Sequence, residues 1–191
     1  SYHVPNRRKV IFHTEEQFSP QDSTDQFVPI VDEILTICPP WVTGRAKRKA
    51  VFFPFNPTMV PTAGSCEKKW EVIYTGFAPV GHVVDMLSTI RRYNYRLVSF
   101  GGLLDGVTDV GIPYREKLVR IAESRACVVH NLVSPDNPQL KTRPFEAASC
   151  GSAMLCMRDR WNLIEEWFTP GEHFIYFDNE TQLRALIEDV N

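Results

Sequence analysis

Between residues 71 and 157 short apolar runs alternate with amphipathic segments of helical length, a rhythm that confines the chain to folds in which helices cover a parallel sheet. Residues 71–76 read as a buried strand. Residues 79–93 read as a helix whose Val80, Val83, Val84, Leu87 and Ile90 share one face. A strand at 95–100, a loop holding Gly101, Gly102, Gly106 and Gly111, a helix at 114–124 and a strand at 126–132 continue the series. A short helix at 144–150 and a strand at 152–157 follow. The tail reads as a helix around 161–168, a Thr169-Pro170-Gly171 turn, a strand at 173–177 and a final helix with Leu183, Leu186, Ile187 and Val190 inward.

The first third is fainter. Strands are expected at 10–13, 33–38 and 50–55, followed by a Pro- and Gly-containing stretch of low apolar content. The sequence therefore divides into residues 1–60, the end of a first α/β domain, a linker at 61–69, and a Rossmann-like domain at 70–191 with helices on both faces of a parallel sheet. The basic run Arg45-Ala46-Lys47-Arg48-Lys49 reads as the solvated end of a helix.

With a formal net charge of −2 the chain lacks the overall basic footprint of a nucleic-acid binder. Its five cysteines are odd in number and form no C-x-x-C, which argues for a reducing compartment and against a structural zinc site. No apolar run reaches the roughly 18 residues that span a bilayer, and the start of the sequence has no apolar signal core. The expectation is a soluble, cytoplasmic protein.

In open parallel sheets ligands bind beyond the carboxyl ends of the strands. The residues at those places are Gly76 and Phe77, Gly101, Asn131, and the stretch Lys141-Thr142-Arg143-Pro144-Phe145-Glu146. Pro144 suits the start of a helix and Gly151 its end, so Lys141 and Arg143 bring cations to a helix start while Glu146 brings a carboxylate one turn later. Cations there favour phosphate, and a carboxylate accepts hydrogen bonds from sugar hydroxyls. Thr142 has two readings, helix cap or phosphate donor. His130 reads more simply as a core histidine, and Trp161, Trp167 and Phe168 as a packing face.

Several blocks resemble the C-terminal half of GT-B glycosyltransferases, within them the group related to the spore-coat protein CgeB. They are His13-Thr14-Glu15-Glu16, Phe53-Pro54-Phe55-Asn56-Pro57, Val72 to Phe77, Arg143 to Gly151, and Trp167-Phe168-Thr169-Pro170-Gly171-Glu172-His173. The resemblance implies a sugar transferase whose Rossmann-like domain holds a UDP- or GDP-activated donor, with residues 1–60 on the acceptor side. It implies that Glu146 meets the ribose hydroxyls, that Lys141, Thr142 and Arg143 lie near the diphosphate, that Gly76 with Phe77 admits the donor close to backbone, and that the segment after Phe100, with Gly101, lies near the base; Asn131, by its place after a strand, has two readings, closing a turn or contacting the donor. It implies no metal and no other cofactor, a saccharide or protein acceptor, no nucleic acid and no membrane span. His13, Glu15 and Glu16, after the first strand, are the candidate bases for an acceptor hydroxyl, since imidazole and tuned carboxylates accept protons near neutrality. At Pro138, eight residues before Glu146, the sequence departs from retaining members, which carry a second glutamate there. Stereochemistry is thus left open, and so are two other readings: a non-catalytic nucleotide- or partner-binding module, and a nucleotide-sugar 2-epimerase.

Overall fold

The computed structural model describes residues 8–13, 26–37, 47–51, 56–62, 64–76, 81–99, 105–134 and 137–191. In chain order the strands are β1 (Val10–His13), β2 (Glu33–Thr36), β3 (Arg48–Ala50), β4 (Trp70–Thr75), β5 (Tyr95–Ser99), β6 (Asp109–Val110), β7 (Ser124–Val129), β8 (Leu132–Ser134), β9 (Asn137–Pro138), β10 (Ala153–Met157) and β11 (Ile175–Phe177). The α-helices are α1 (Gly81–Ile90), α2 (Tyr114–Ala122), α3 (Arg143–Ser149) and α4 (Glu180–Val190). The chain divides into two compact units, Ser1–Pro54 with Asn131–Lys141, and Phe55–His130 with Thr142–Asn191.

In the first unit β1, β2 and β3 form a parallel sheet in that order. Arg48, Lys49 and Ala50 are strand, not the end of a helix, which corrects the expectation for the basic run. Lys47 turns the chain into β3 at φ 58°, its ammonium donating to the carbonyls of Val28 and Val31, and Arg48 is buried. Pairing with β2 outweighs the solvation preference of the charges. The returning segment carries the β8–β9 hairpin, which the sequence did not suggest, and Leu140 N–H donates to Ile37 O at 2.7 Å.

The second unit is a six-stranded sheet in the order β11-β10-β7-β4-β5-β6, parallel at each pairing. Alternation along the strands builds two cores. On one face Val72, Tyr74, Leu97, Ala126, Val128 and Leu155 meet Val83, Met86, Leu87 and Ile90 of α1 and Leu183 and Ile187 of α4. On the other, Ile73, Val98, Cys127, Val129, Met154 and Cys156 meet Leu118, Ile121 and Ala122 of α2 and Ala147 of α3. The expected sheet with helices on both faces is the observed one. Val84 is corrected: it is 44% exposed while Met86 is buried, because a stripe through 83, 87 and 90 places 86 inward and 84 outward. The tail segment expected as an α-helix is a 3-10 turn, Leu163–Glu166, whose chain enters through Asn162 in the left-handed region. Among the described residues no helix is long and apolar enough to cross a membrane.

The chain passes from β4 outward to β5 and β6, then returns to place β7 on the other side of β4. The reversal puts the carboxyl ends of β4 and β7 side by side, the place where such sheets bind ligands. At the opposite end an ion network fixes the entry to β4: Lys69 pairs with Glu123 at 2.5 Å, and Arg120 reaches Glu116, Asp109 and Glu123 at 2.9, 3.3 and 3.3 Å. Burial alone raises the Glu123 carboxyl, but hydrogen bonds and charge from Lys69 and Arg120 outweigh it and hold the group below its ordinary value of 4.5. A depressed carboxylate stabilises the fold fully above its unfolded value, and the contribution is lost as pH falls through the folded one. We therefore expect the melting temperature of the parent to fall as pH drops below 4.5, and Glu123→Gln to melt lower at pH 7 with a shallower acid decline. Parallel acid profiles for the two proteins would count against this role.

Candidate functional site

Strand β4 ends in buried Thr75 and then Gly76, whose φ of +139° is a conformation that a side chain would strain. A Cβ at Gly76 would lie 2.5 Å from Arg143 Nη2. Gly76 thus leaves room for the Arg143 guanidinium, which also lies 5.1 Å from the centroid of the Tyr74 ring and donates from Nη1 to His130 O at 3.3 Å. Tyr74 and His130 share a 2.8 Å hydrogen bond between the phenol oxygen and Nε2, with their rings stacked at 5.8 Å. Burial pushes the Tyr74 phenol above its ordinary range against the opposing charge of Arg143, so it stays protonated. The pair forms a rigid shelf under a half-buried cation.

Glu146 follows three residues after Arg143 on α3 and is fully buried. Its Oε1 accepts from Lys117 Nζ at 2.7 Å and from the Tyr114 hydroxyl at 2.8 Å. Its Oε2 has no hydrogen-bond partner among the described residues. Burial, then the hydrogen bond to Glu146 and its charge, raise the Tyr114 phenol, which remains a donor. Burial, then the Glu146 charge, push the Cys127 and Cys150 thiols up to about 12, so neither is a nucleophile near neutrality. Among the described residues no group of three His, Cys, Asp or Glu side chains is placed to hold a metal.

Of the residues singled out from the sequence, Gly76 and Arg143 are in contact, and Glu146 lies on the same short helix as Arg143. Thr142 makes no side-chain cap bond; its carbonyl accepts from Glu146 N–H at 3.0 Å. Asn131 and Lys141 belong to the first unit, where Asn131 is buried, its carbonyl accepting from Gln139 N–H, and Lys141 bonds the Gln139 side chain. Phe77, Gly101, Glu15 and Glu16 lie outside the described residues. His13 closes β1, its side chain also outside them. Tyr74, Tyr114 and Lys117 were not anticipated. Tyr114 and Lys117 continue the stripe that ends in Ile121, and that spacing was the available signal. Phe145, between the two charged residues, anchors α3 by packing on Trp167 and Phe168 at 5.8 and 5.3 Å.

The site has two checkable mechanical consequences. Gly76→Ala is expected to lose about 1–3 kcal/mol of stability from backbone strain together with displacement of Arg143, measurable by chemical denaturation. Lys117→Met leaves a buried carboxylate unpaired and is expected to lose about 3–5 kcal/mol, whereas Lys117→Met with Glu146→Leu loses much less; equal losses would refute the coupling.

The fold recurs in solved structures at low identity. AviGT4, a glycosyltransferase involved in avilamycin A biosynthesis, matches with a TM-score of 0.56 and 12% identity over 81% of this chain and 54% of its own. HepE (Alr3699) of Anabaena, solved in complex with UDP-glucose, matches at 0.55 and 12% over 96% of this chain and 62% of its own. TarM matches at 0.59 and 8% over 94% of this chain and 43% of its own. The chain thus spans roughly half the length of these structures. None of the curated proteins matches it. The sequence profile of the glycosyl transferase-like family matches residues 84–191, more than half of the chain and the part that carries α2, α3 and the Arg143–Glu146 block. The chain belongs to the glycosyl transferase-like family and has the Rossmann-like architecture of the GT-B glycosyltransferases.

Proposed function

We propose that this chain carries the nucleotide-sugar-binding part of a metal-independent GT-B glycosyltransferase, which moves a sugar from a UDP- or GDP-activated donor to a saccharide or protein acceptor. The observation that carries the proposal is the pairing, on one short helix, of a cation with unspent donors and a carboxylate with an unspent acceptor. Among the described residues the Arg143 hydrogen bond uses one of the five N–H donors that a guanidinium offers, and Glu146 Oε2 has no partner. A nucleoside diphosphate supplies the complement: phosphate oxygens for the arginine and ribose hydroxyls for the glutamate. The structural likeness to HepE, a protein solved with UDP-glucose, supports the same assignment.

On this proposal the donor diphosphate lies against Arg143, with Gly76, Phe77, Gly101 and Thr142 belonging to the donor site. Transfer is displacement at the anomeric carbon as the bond to the diphosphate oxygen breaks. Charge on the departing diphosphate is offset by Arg143, a stabilisation that grows as the bond lengthens. The acceptor hydroxyl gives its proton to a base among His13, Glu15 and Glu16. A cytoplasmic location belongs to the same proposal and draws on the thiols of Cys66, Cys127 and Cys150, none of which is in a disulfide among the described residues.

Calorimetric titration with UDP, GDP and UMP tests the donor site. We expect a diphosphate to bind more tightly than the monophosphate, Arg143→Ala to weaken the diphosphate at least about tenfold, and Glu146→Gln to weaken both. Absence of nucleotide binding in the parent would sink the assignment. Release of UDP or GDP from a sugar donor separates an enzyme from a module that only binds.

A further inference from the structure

The Glu146 carboxylate is held asymmetrically. Two donors from α2, the Lys117 ammonium at 2.7 Å and the Tyr114 hydroxyl at 2.8 Å, converge on Oε1. The side chains of Lys117 and Glu146 are only 8% and 1% exposed, and the ammonium lies 4.5 Å over the Tyr114 ring, so the donors brace one another. The terminal torsion of a glutamate is ordinarily broad. Two donors on a single oxygen remove that freedom and fix the direction of Oε2, which has no hydrogen-bond partner among the described residues.

A buried acceptor without a donor is unfavourable, and an ion pair that serves stability alone gains little over apolar side chains of similar volume. The arrangement is chemically selective. Oε2 accepts a hydrogen bond from a hydroxyl and repels phosphate oxygens and base carbonyls. Nor is Lys117 available to a phosphate, since leaving Glu146 would strand a buried carboxylate.

We propose that Lys117 and Tyr114 are positioning residues, that they aim Glu146 Oε2 at a ligand hydroxyl, and that the site thereby selects ribonucleotides over their deoxy counterparts. The inference rests on the assignment of Glu146 to the donor ribose. Tyr114 and Lys117 lie one turn apart on the stripe that continues to buried Ile121, so the inward face of α2 changes from apolar to polar where α3 begins. Neither side chain touches the ligand; each acts through Glu146.

The test measures affinities of the full chain for UDP, 2′-deoxy-UDP, 3′-deoxy-UDP and UMP, and for the guanosine set, in the parent, in Lys117→Met and in Tyr114→Phe. The parent is expected to bind the ribonucleoside diphosphate at least about tenfold more tightly than one of the deoxy forms. Lys117→Met is expected to bring that ratio to within about twofold of unity, and Tyr114→Phe to reduce it about threefold. The ratio of diphosphate to monophosphate affinity is expected to stay at its parental value in both variants, which general loosening of the site would not allow. A parent that binds no nucleotide, or binds ribo and deoxy forms alike, removes the ribose assignment and this proposal with it. A parent that discriminates while both variants keep the ratio, or lose the two ratios together, overturns the positioning role and leaves the ribose assignment standing. Where circular dichroism shows Lys117→Met unfolded, Tyr114→Phe decides by the same ratios.

Discussion

The ion pair between Lys117 and Glu146 ties together the two helices that cover one face of the sheet. Helix α3 has seven residues, too few to persist through its own hydrogen bonds. It is held instead by burial of Pro144, Ala147 and Cys150, by the packing of Phe145 on Trp167 and Phe168, and by the carboxylate that reaches across to α2. Two charges withdrawn from water are tolerable here because each faces the other at 2.7 Å and the Tyr114 hydroxyl supplies a further donor. The cohesion of the two helices therefore draws on Oε1, and Oε2 has no hydrogen-bond partner among the described residues.

The cation of α3 itself, Arg143, is held by different means. Arg143 has no carboxylate partner among the described ion pairs; it rests on the Tyr74 ring and fills the space above Gly76. Contact with a ring face and a carbonyl orients a guanidinium while leaving its charge uncompensated. The two cations of the site thus divide the work. Lys117 is neutralised within the protein, whereas Arg143 keeps its charge. The topology makes this possible, because the reversal of strand order beside β4 brings Tyr74, Gly76 and His130 to one end of the sheet.

The architecture was legible wherever periodicity ran long enough to separate strand from helix. Strands β4, β5, β7 and β10 and helices α1, α2 and α4 were readable in this way, and so was α3 from its bounding Pro144 and Gly151. Strand β6, two residues long, carries no period, and the β8–β9 hairpin is set by pairing and not by composition. Arg48 and Lys49 misled because their charges suggest solvent, whereas strand pairing decided their place. The site was half legible for a similar reason. Arg143 and Glu146 stand in a recognisable block, but Lys117 is a residue type that is seldom buried, and nothing nearby in sequence discloses its partner. The role of Gly76 was visible only in part: its position at a strand end is in the sequence, but the guanidinium that fills the space beside it is not.

The path of the chain between the two units has a consequence for how the protein is made. The backbone leaves the six-stranded sheet after His130, contributes residues 131–141 to the first unit, and re-enters the second at Thr142. The carbonyl of Ile37, just beyond β2, waits for the N–H of Leu140. During synthesis the first unit is therefore incomplete until most of the second has emerged, and its closing contacts carry the loop-closure entropy of everything between. A cut at residue 54 would separate the two pieces of the first unit while leaving every residue of the second on one side.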